Sequence, residues 1–153
     1  MRVVEVTADT THDLRRRVLR GGRADADVHF DADDHPAALH LAVVDDDDGD
    51  GDGVSRVLAV ATVIPATTPR RPAALAWRVR GMAVEPAVQG TGVGTLLLDA
   101  VVDRARAEGA LVLWADGRDS ALGFYQRRGW SVEGEGYLTA AEGIPHHTVV
   151  LDL

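Results

Sequence analysis

The sequence predicts a single α/β domain built on one mixed sheet flanked by helices, and three observations carry that prediction. The chain has 153 residues, enough for one hydrophobic core and too few for two. Hydrophobic residues make up 46% and charged residues 26%, the balance of an ordinary globular protein. The apolar pattern also switches repeatedly between the two-residue alternation of strands and the 3.6-residue period of helices, in the order β-α-(loop or helix)-β-β-β-α-β-α-β-β.

Residues 1–7 alternate, with Val4 and Val6 against Arg2 and Glu5, and predict a short strand. Thr10 or Thr11 can cap a helix over 13–20. Leu14, Val18 and Leu19 share one face, with Arg15, Arg16, Arg17 and Arg20 mostly on the others, and Gly21-Gly22 stops it. The polar stretch 23–36 is a loop or a short helix. Continuous apolar runs at 39–44 and 57–64 predict two strands. The aspartates between them, Asp46-x-Asp48-x-Asp50-Gly51, imitate the start of a calcium loop. The twelfth position would be Val57 where a glutamate is required, and strands flank it, so a solvated hairpin tip is favoured. Residues 76–84 predict a strand with Gly81 as a bulge or a point of close approach. A helix follows the glycine-rich turn and runs to about Glu108, ended by Gly109. Strand 111–115, a helix over 120–128 capped by Asp119 or Ser120, strand 130–135 and a final strand 147–153 complete the chain.

Composition removes several chemistries. Every basic residue is arginine, and lysine, asparagine and cysteine are absent. A thiol nucleophile, a disulfide framework, a cysteine zinc site, a lysine Schiff base and a Walker-type phosphate loop are therefore excluded. No apolar run approaches the ~20 residues of a membrane span, and no signal-peptide core opens the chain, so a cytoplasmic protein without a membrane partner is expected. The 24 acidic and 16 basic side chains leave a formal charge of −8, which argues against nucleic acid as a partner.

The chemistry concentrates in the strand–turn–helix at 79–108. Glycines at such a junction aim backbone N–H groups at an anion beside the positive end of the helix dipole, so a pyrophosphate cradle forms without lysine. The dinucleotide pattern G-x-G-x-x-G fails, because Gly90 and Gly92 lead to Thr95, and Gly92 and Gly94 lead to Leu97. That spacing disfavours a nucleotide-binding α/β domain. The spacing present is Gln89-x-x-Gly92-x-Gly94, preceded by Val84-x-Pro86. With these residues the chain resembles the GNAT acyltransferase superfamily, whose central motif is Q/R-x-x-G-x-G/A after a strand ending in V-x-P. Arg80-Gly81-Met82-Ala83-Val84 is similar to that superfamily's fourth strand. The run from Ser120 to Trp130 is similar to its second signature, A-x-x-F-Y-x-x-x-G-F. Leu14–Arg20 and Asp33–Leu41 resemble one bacterial branch, in which this half forms the acceptor side.

The resemblance implies a GNAT-like acyl-CoA N-acyltransferase fold over residues 1–153, with a mostly antiparallel sheet. It implies an enzyme that moves acetyl from acetyl-CoA to a primary amine by direct attack in a ternary complex, with no metal. The cofactor would lie between the fourth and fifth strands. The main chain of Met82, Ala83 and Val84 would pair with the pantetheine arm, with the Val84 N–H polarising the thioester carbonyl. Gln89, Gly90, Thr91, Gly92, Val93, Gly94 and Thr95 would hold the pyrophosphate. Asp116 stands where many relatives carry an asparagine that binds the pantetheine; an ionised aspartate can accept there but not donate. Ser120 and Phe124 belong to the second signature, and Arg118 and Arg127 are candidates for the adenine-side phosphates.

Tyr125 matches the family's general acid, which protonates the departing thiolate; a packed core aromatic is the competing reading. Glu85, His146, His147 and His40 are candidates for the base that deprotonates the acceptor, Glu85 and His146 foremost. A non-catalytic acyl-CoA-binding module is the alternative function. The acceptor is not named by the sequence, although the aspartates of 25–34 would suit a cationic amine if they face the cleft. Many relatives dimerise through terminal strands, and 147–153 is apolar enough for a homodimer. Eleven of the carboxylates lie in 25–52; without them 13 acids face 16 arginines, so the proposed cofactor half is mildly basic.

Overall fold

The protein is described by a computed structural model over residues 1–46, 55–139 and 143–153. Among the described residues seven strands form one sheet: β1 (Arg2–Val6), β2 (Leu39–Asp45), β3 (Arg56–Pro65), β4 (Ala76–Val84), β5 (Val112–Arg118), β6 (Ser131–Leu138) and β7 (Pro145–Asp152). Their order is β1-β2-β3-β4-β5-β7-β6. Every neighbouring pair is antiparallel except β4 and β5. The expected mixed, mostly antiparallel sheet is present.

Both faces of the sheet are covered, which explains the continuous apolar runs. Along β2, Leu41 and Val43 join the large core under helix α2 (Val93–Ala107), while Ala42 and Val44 pack with Leu14 on the other face. Helix α2 turns Val93, Leu97, Leu98, Val101 and Ala105 inward. Leu97 is fully buried, and cutting such a leucine to alanine costs about 2–5 kcal/mol. The second face is closed by the helical segment 8–19. It opens with a 3-10 turn at Ala8–Thr11, continues as α1 (His12–Leu14), and ends in a π turn at Arg15–Leu19. Neither Thr10 nor Thr11 caps it by side chain; Thr11 bonds back to the Ala8 carbonyl.

Several expectations need correction. The wide π turn swings Arg15, expected on a polar face, fully into the interior. There it meets Asp33 from the 3-10 turn Asp31–Asp34 inside the stretch 23–36. β5 runs on to Arg118, and Trp130 lies buried just before β6 rather than in it. β7 starts at Pro145, which places His146 inside the strand. It lies between β5 and β6, both of its edges paired within the chain, so a dimer made by extending this strand has no free edge to use. Of the calcium-like loop, Asp48, Asp50 and Gly51 lie outside the described residues. Among the described residues no helix is long and apolar enough to cross a membrane.

Candidate active site

β4 and β5 are the parallel pair, and they stay together over three registers: Ala76 with Val112, Trp77 with Leu113, and Arg78 with Trp114. Beyond Arg78 the two strands part. A bulge in β4 accompanies the parting. Thr62 of β3 faces Arg80 and Val60 faces Ala83, so Ala61 alone spans Gly81 and Met82. Gly81 sits at φ +60°, and a Cβ there would lie 2.8 Å from the Phe30 ring and 2.9 Å from Arg15 Nε. Glycine is therefore required both by backbone conformation and by its neighbours.

The splay opens into a cavity of about 430 Å³ lined by Arg78, Arg80, Met82, Asp116, Tyr125 and His146 among others. Strand alternation sorts these side chains. Trp77, Val79, Leu113 and Ala115 belong to the core under α2, so Arg78, Arg80 and Asp116 point to the opposite face. Tyr125, on α3 (Leu122–Arg127), lies under the α2 face beside Phe124 and Trp130. The cavity thus passes between the strands and joins the two faces of the sheet.

Tyr125 is 7% exposed, and burial pushes its phenol up to about 12. It is a protonated donor at neutral pH. His146, 8% exposed, lines the cavity on the far face and stacks on Tyr137. Its Nδ1 lies 2.6 Å from the Ile144 carbonyl. Only a protonated nitrogen can make that bond, so the neutral ring keeps its lone pair on Nε2.

The other base candidates lie elsewhere. Glu85 accepts from Arg17 at 2.8 Å, which holds its carboxyl below the usual range, and it does not line the cavity. His147 pairs with Asp119. His40 is buried against the Thr62 hydroxyl, and burial lowers its pKa.

Asp116 faces the cavity, and its carboxylate accepts from both Arg78 and the Tyr137 hydroxyl. The carboxyl group is the partner of a cation. Its own burial, together with the bond to Asp116, raises the Tyr137 phenol to about 12.

The turn after β4 is open. Gly90 (φ +78°) and Gly92 (φ +95°) both adopt left-handed conformations, and a Cβ at either would meet nothing within 4 Å. No side chain caps α2, and its first turn carries no acid. The leading N–H groups of Val93, Gly94 and Thr95, which have no helical partner by geometry, are therefore left without a side-chain cap as well. Gln89 Nε2 donates to the Val84 carbonyl at 3.1 Å. Glu85 N–H donates to Leu58 on β3, so alternation turns the Val84 N–H away from β3 and toward the splay. A Cβ on Gly94 would rest 3.5 Å from Val84 and 3.6 Å from Phe124, so strand, turn and α3 converge there. Thr91 bonds back to Val88. Ser120 and Arg127 are exposed and do not line the cavity, whereas Arg118 lines it and donates to the Leu19 carbonyl.

Several contributors escaped the sequence reading. Arg78 and Arg80 project two residues apart from one face of an otherwise buried strand, and that spacing of charges was a usable signal. Tyr137 and the Arg15–Asp33 pair depend on contacts between distant segments and left no local trace.

A strand splay, an uncapped glycine turn and a buried phenol beside the gap form a site open to an anionic ligand with an extended arm. The chain belongs to the acetyltransferase (GNAT) family, which it matches over residues 9–130. It is an acyl-CoA-dependent N-acyltransferase. It is 24% identical over 150 residues to the uncharacterized N-acetyltransferase YitI of Bacillus subtilis (strain 168), covering 98% of this chain and 94% of that one. Its fold is similar to an aminoglycoside 6'-N-acetyltransferase complexed with coenzyme A (TM-score 0.73, 14% identity, 99% and 97% of the two chains). It is also similar to FeeM, an N-acyl amino acid synthase from uncultured soil microbes (TM-score 0.76, 14% identity, 99% and 95%).

Proposed function

We propose that the protein transfers acetyl from acetyl-CoA to a primary amine by direct attack within a ternary complex. The carrying observation is the cavity through the splay, with the protonated Tyr125 phenol under one face of the sheet and His146 on the other. The residues fit the donor: glycine φ values, an uncapped 15-residue helix and an open strand edge suit a diphosphate with an amide-containing arm. Val93, Gly94 and Thr95 hold the phosphates through main-chain N–H groups, and Gln89 fixes the turn by its bond to Val84. The edge of Met82–Val84 binds the arm.

Acetyl-CoA supplies a thioester carbon open to nucleophilic attack. His146 Nε2 takes one proton from the acceptor ammonium. The freed amine forms the C–N bond as the C–S bond breaks, and the Val84 N–H donates to the carbonyl oxygen that gains charge. Tyr125 gives its proton to the departing sulfur, and the second proton on the newly acylated nitrogen is lost to solvent, from which the phenol is reprotonated. Binding both substrates together supplies the proximity that a covalent enzyme intermediate would otherwise provide.

The test is thiol release with acetyl-CoA and a panel of amines, read with a thiol dye. The chain has no cysteine, so the dye reports free CoA alone. Turnover is expected with at least one amine class, and Tyr125→Phe should lower kcat by about 10²-fold with acetyl-CoA affinity kept. Tight acetyl-CoA binding with no turnover on any amine would instead identify a non-catalytic acyl-CoA-binding module.

A further inference from the structure

Four arginines line the cavity: Arg20, Arg78, Arg80 and Arg118. The carboxylate that lines it with them, Asp116, is already held by Arg78 and Tyr137. None of the aspartates of 25–34 lines this cavity: Asp33 is fully buried against Arg15, Asp34 pairs with His29, and Asp27 and Asp31 line a second, neighbouring cavity. The expectation of a cationic acceptor thus finds little support in their placement.

Arg80 stands out among the four. It is half-buried, lies 4.7 Å over the Phe30 ring, and faces both the main cavity and a second one of about 350 Å³ beside it. Among the described residues its guanidinium makes no hydrogen bond or ion pair. Burial, then the nearby Arg78 charge, pushes its pKa down, and Arg15 adds to the effect. A guanidinium does not lose its proton in a protein, and the charges of Asp116 and Asp33 offset it only without direct contact, so the site holds a cation that an anion in direct contact would relieve. Its flat fork favours bidentate binding of a carboxylate. The donor's phosphates do not fill this place. Arg80 lies four residues before Val84, roughly 13 Å up the strand from the turn that starts there, and it shares a face with His146.

Resting on the acyl-transfer reading above, we infer that the acceptor is a small molecule carrying a carboxylate as well as its amine, and that Arg80 binds that carboxylate. Arg80 then sets acceptor specificity, with Phe30 holding its guanidinium plane in place.

Matched acceptors test this: amino acids, their amides, and the corresponding amines without a carboxyl group, each assayed by CoA release. The amino acid should exceed its amide in kcat/KM by about 10²-fold, the range of a charged hydrogen-bonded pair. Arg80→Gln should collapse that ratio to a few-fold, while Arg80→Lys retains part of it. The unaltered chain gives an independent readout: a carboxylic acid lacking the amine should compete with the acceptor, and its amide should not. Equal or better turnover of amides or polyamines would overturn the inference and leave the acyl-transfer reading standing. Silence with every amine would overturn that reading itself.

Discussion

At the scale of single residues, the cost of a buried charge decides what each position tolerates. Arg15 and Asp33 have fully buried side chains and meet at 2.6 and 2.9 Å. Arg15 also donates to the Val28 carbonyl and the Thr62 hydroxyl. Burial alone would raise the Asp33 pKa. The Arg15 hydrogen bonds, the Phe30 N–H and the Arg15 charge outweigh it and hold the carboxyl below the ordinary 3.8. Asp33→Ala strands the guanidinium and should destabilise the fold by about 3–5 kcal/mol. Because the folded pKa is the lower one, this stability is present above the unfolded value and is lost as pH falls through the folded one. Urea unfolding of wild type and variant should therefore differ widely at pH 7 and converge in acid; a gap that persists in acid would contradict the assignment. Composition alone could not reveal the pair, since Arg15 is one of four arginines within six residues, and the π turn selects it. Tyr125 was legible because its spacing to Gly129 is local. Asp116 was legible as a departure from relatives, and its reason, Arg78, lay 38 residues away.

At the scale of elements, the β4 bulge organises the site. A regular strand would place Arg80, Met82 and Val84 on one face. The extra residue at Gly81 keeps Arg78 and Arg80 on the face opposite α2 while Met82 and Val84 pack toward α2. Gly81→Ala meets Phe30 and Arg15 at under 3 Å and sits at φ +60°. The left-handed conformation alone costs about 1–2 kcal/mol, and shifting Phe30 adds to it. The expected result is a Tm lower by roughly 4 °C or more, with acceptor KM rising more than acetyl-CoA KM. An unchanged Tm would remove the bulge from the argument. Gly81 was readable as a bulge or a point of close approach because a glycine interrupts an otherwise alternating strand, and it is both. Phe30, which makes the glycine obligatory, comes from a segment whose polar sequence had no periodicity to read.

At the scale of the whole molecule, the sheet is two antiparallel blocks, β1–β4 and β5–β7–β6, joined by three parallel registers and a shared core. The order of elements was legible because each carries its own period. The splay was not, since it arises where one parallel pairing stops and nothing in either strand's composition marks that point. Strand edges left open by the splay have main-chain groups without sheet partners. The Val84 N–H points there, while the Glu85 N–H is tied to Leu58. A donor lying along that edge bonds both blocks and binds the folded state alone, so it stabilises by mass action, about 2.7 kcal/mol at a hundredfold excess over its Kd. For a chain of this length that is a Tm rise of roughly 5–10 °C. Hydrogen exchange should place the gain: residues 82–84 and the first turn of α2 slow on adding acetyl-CoA, while β2 and β3, buried and paired on both edges, change little. Slowing confined to β2 and β3, with the β4 edge and the glycine turn unmoved, would put the donor somewhere other than the splay.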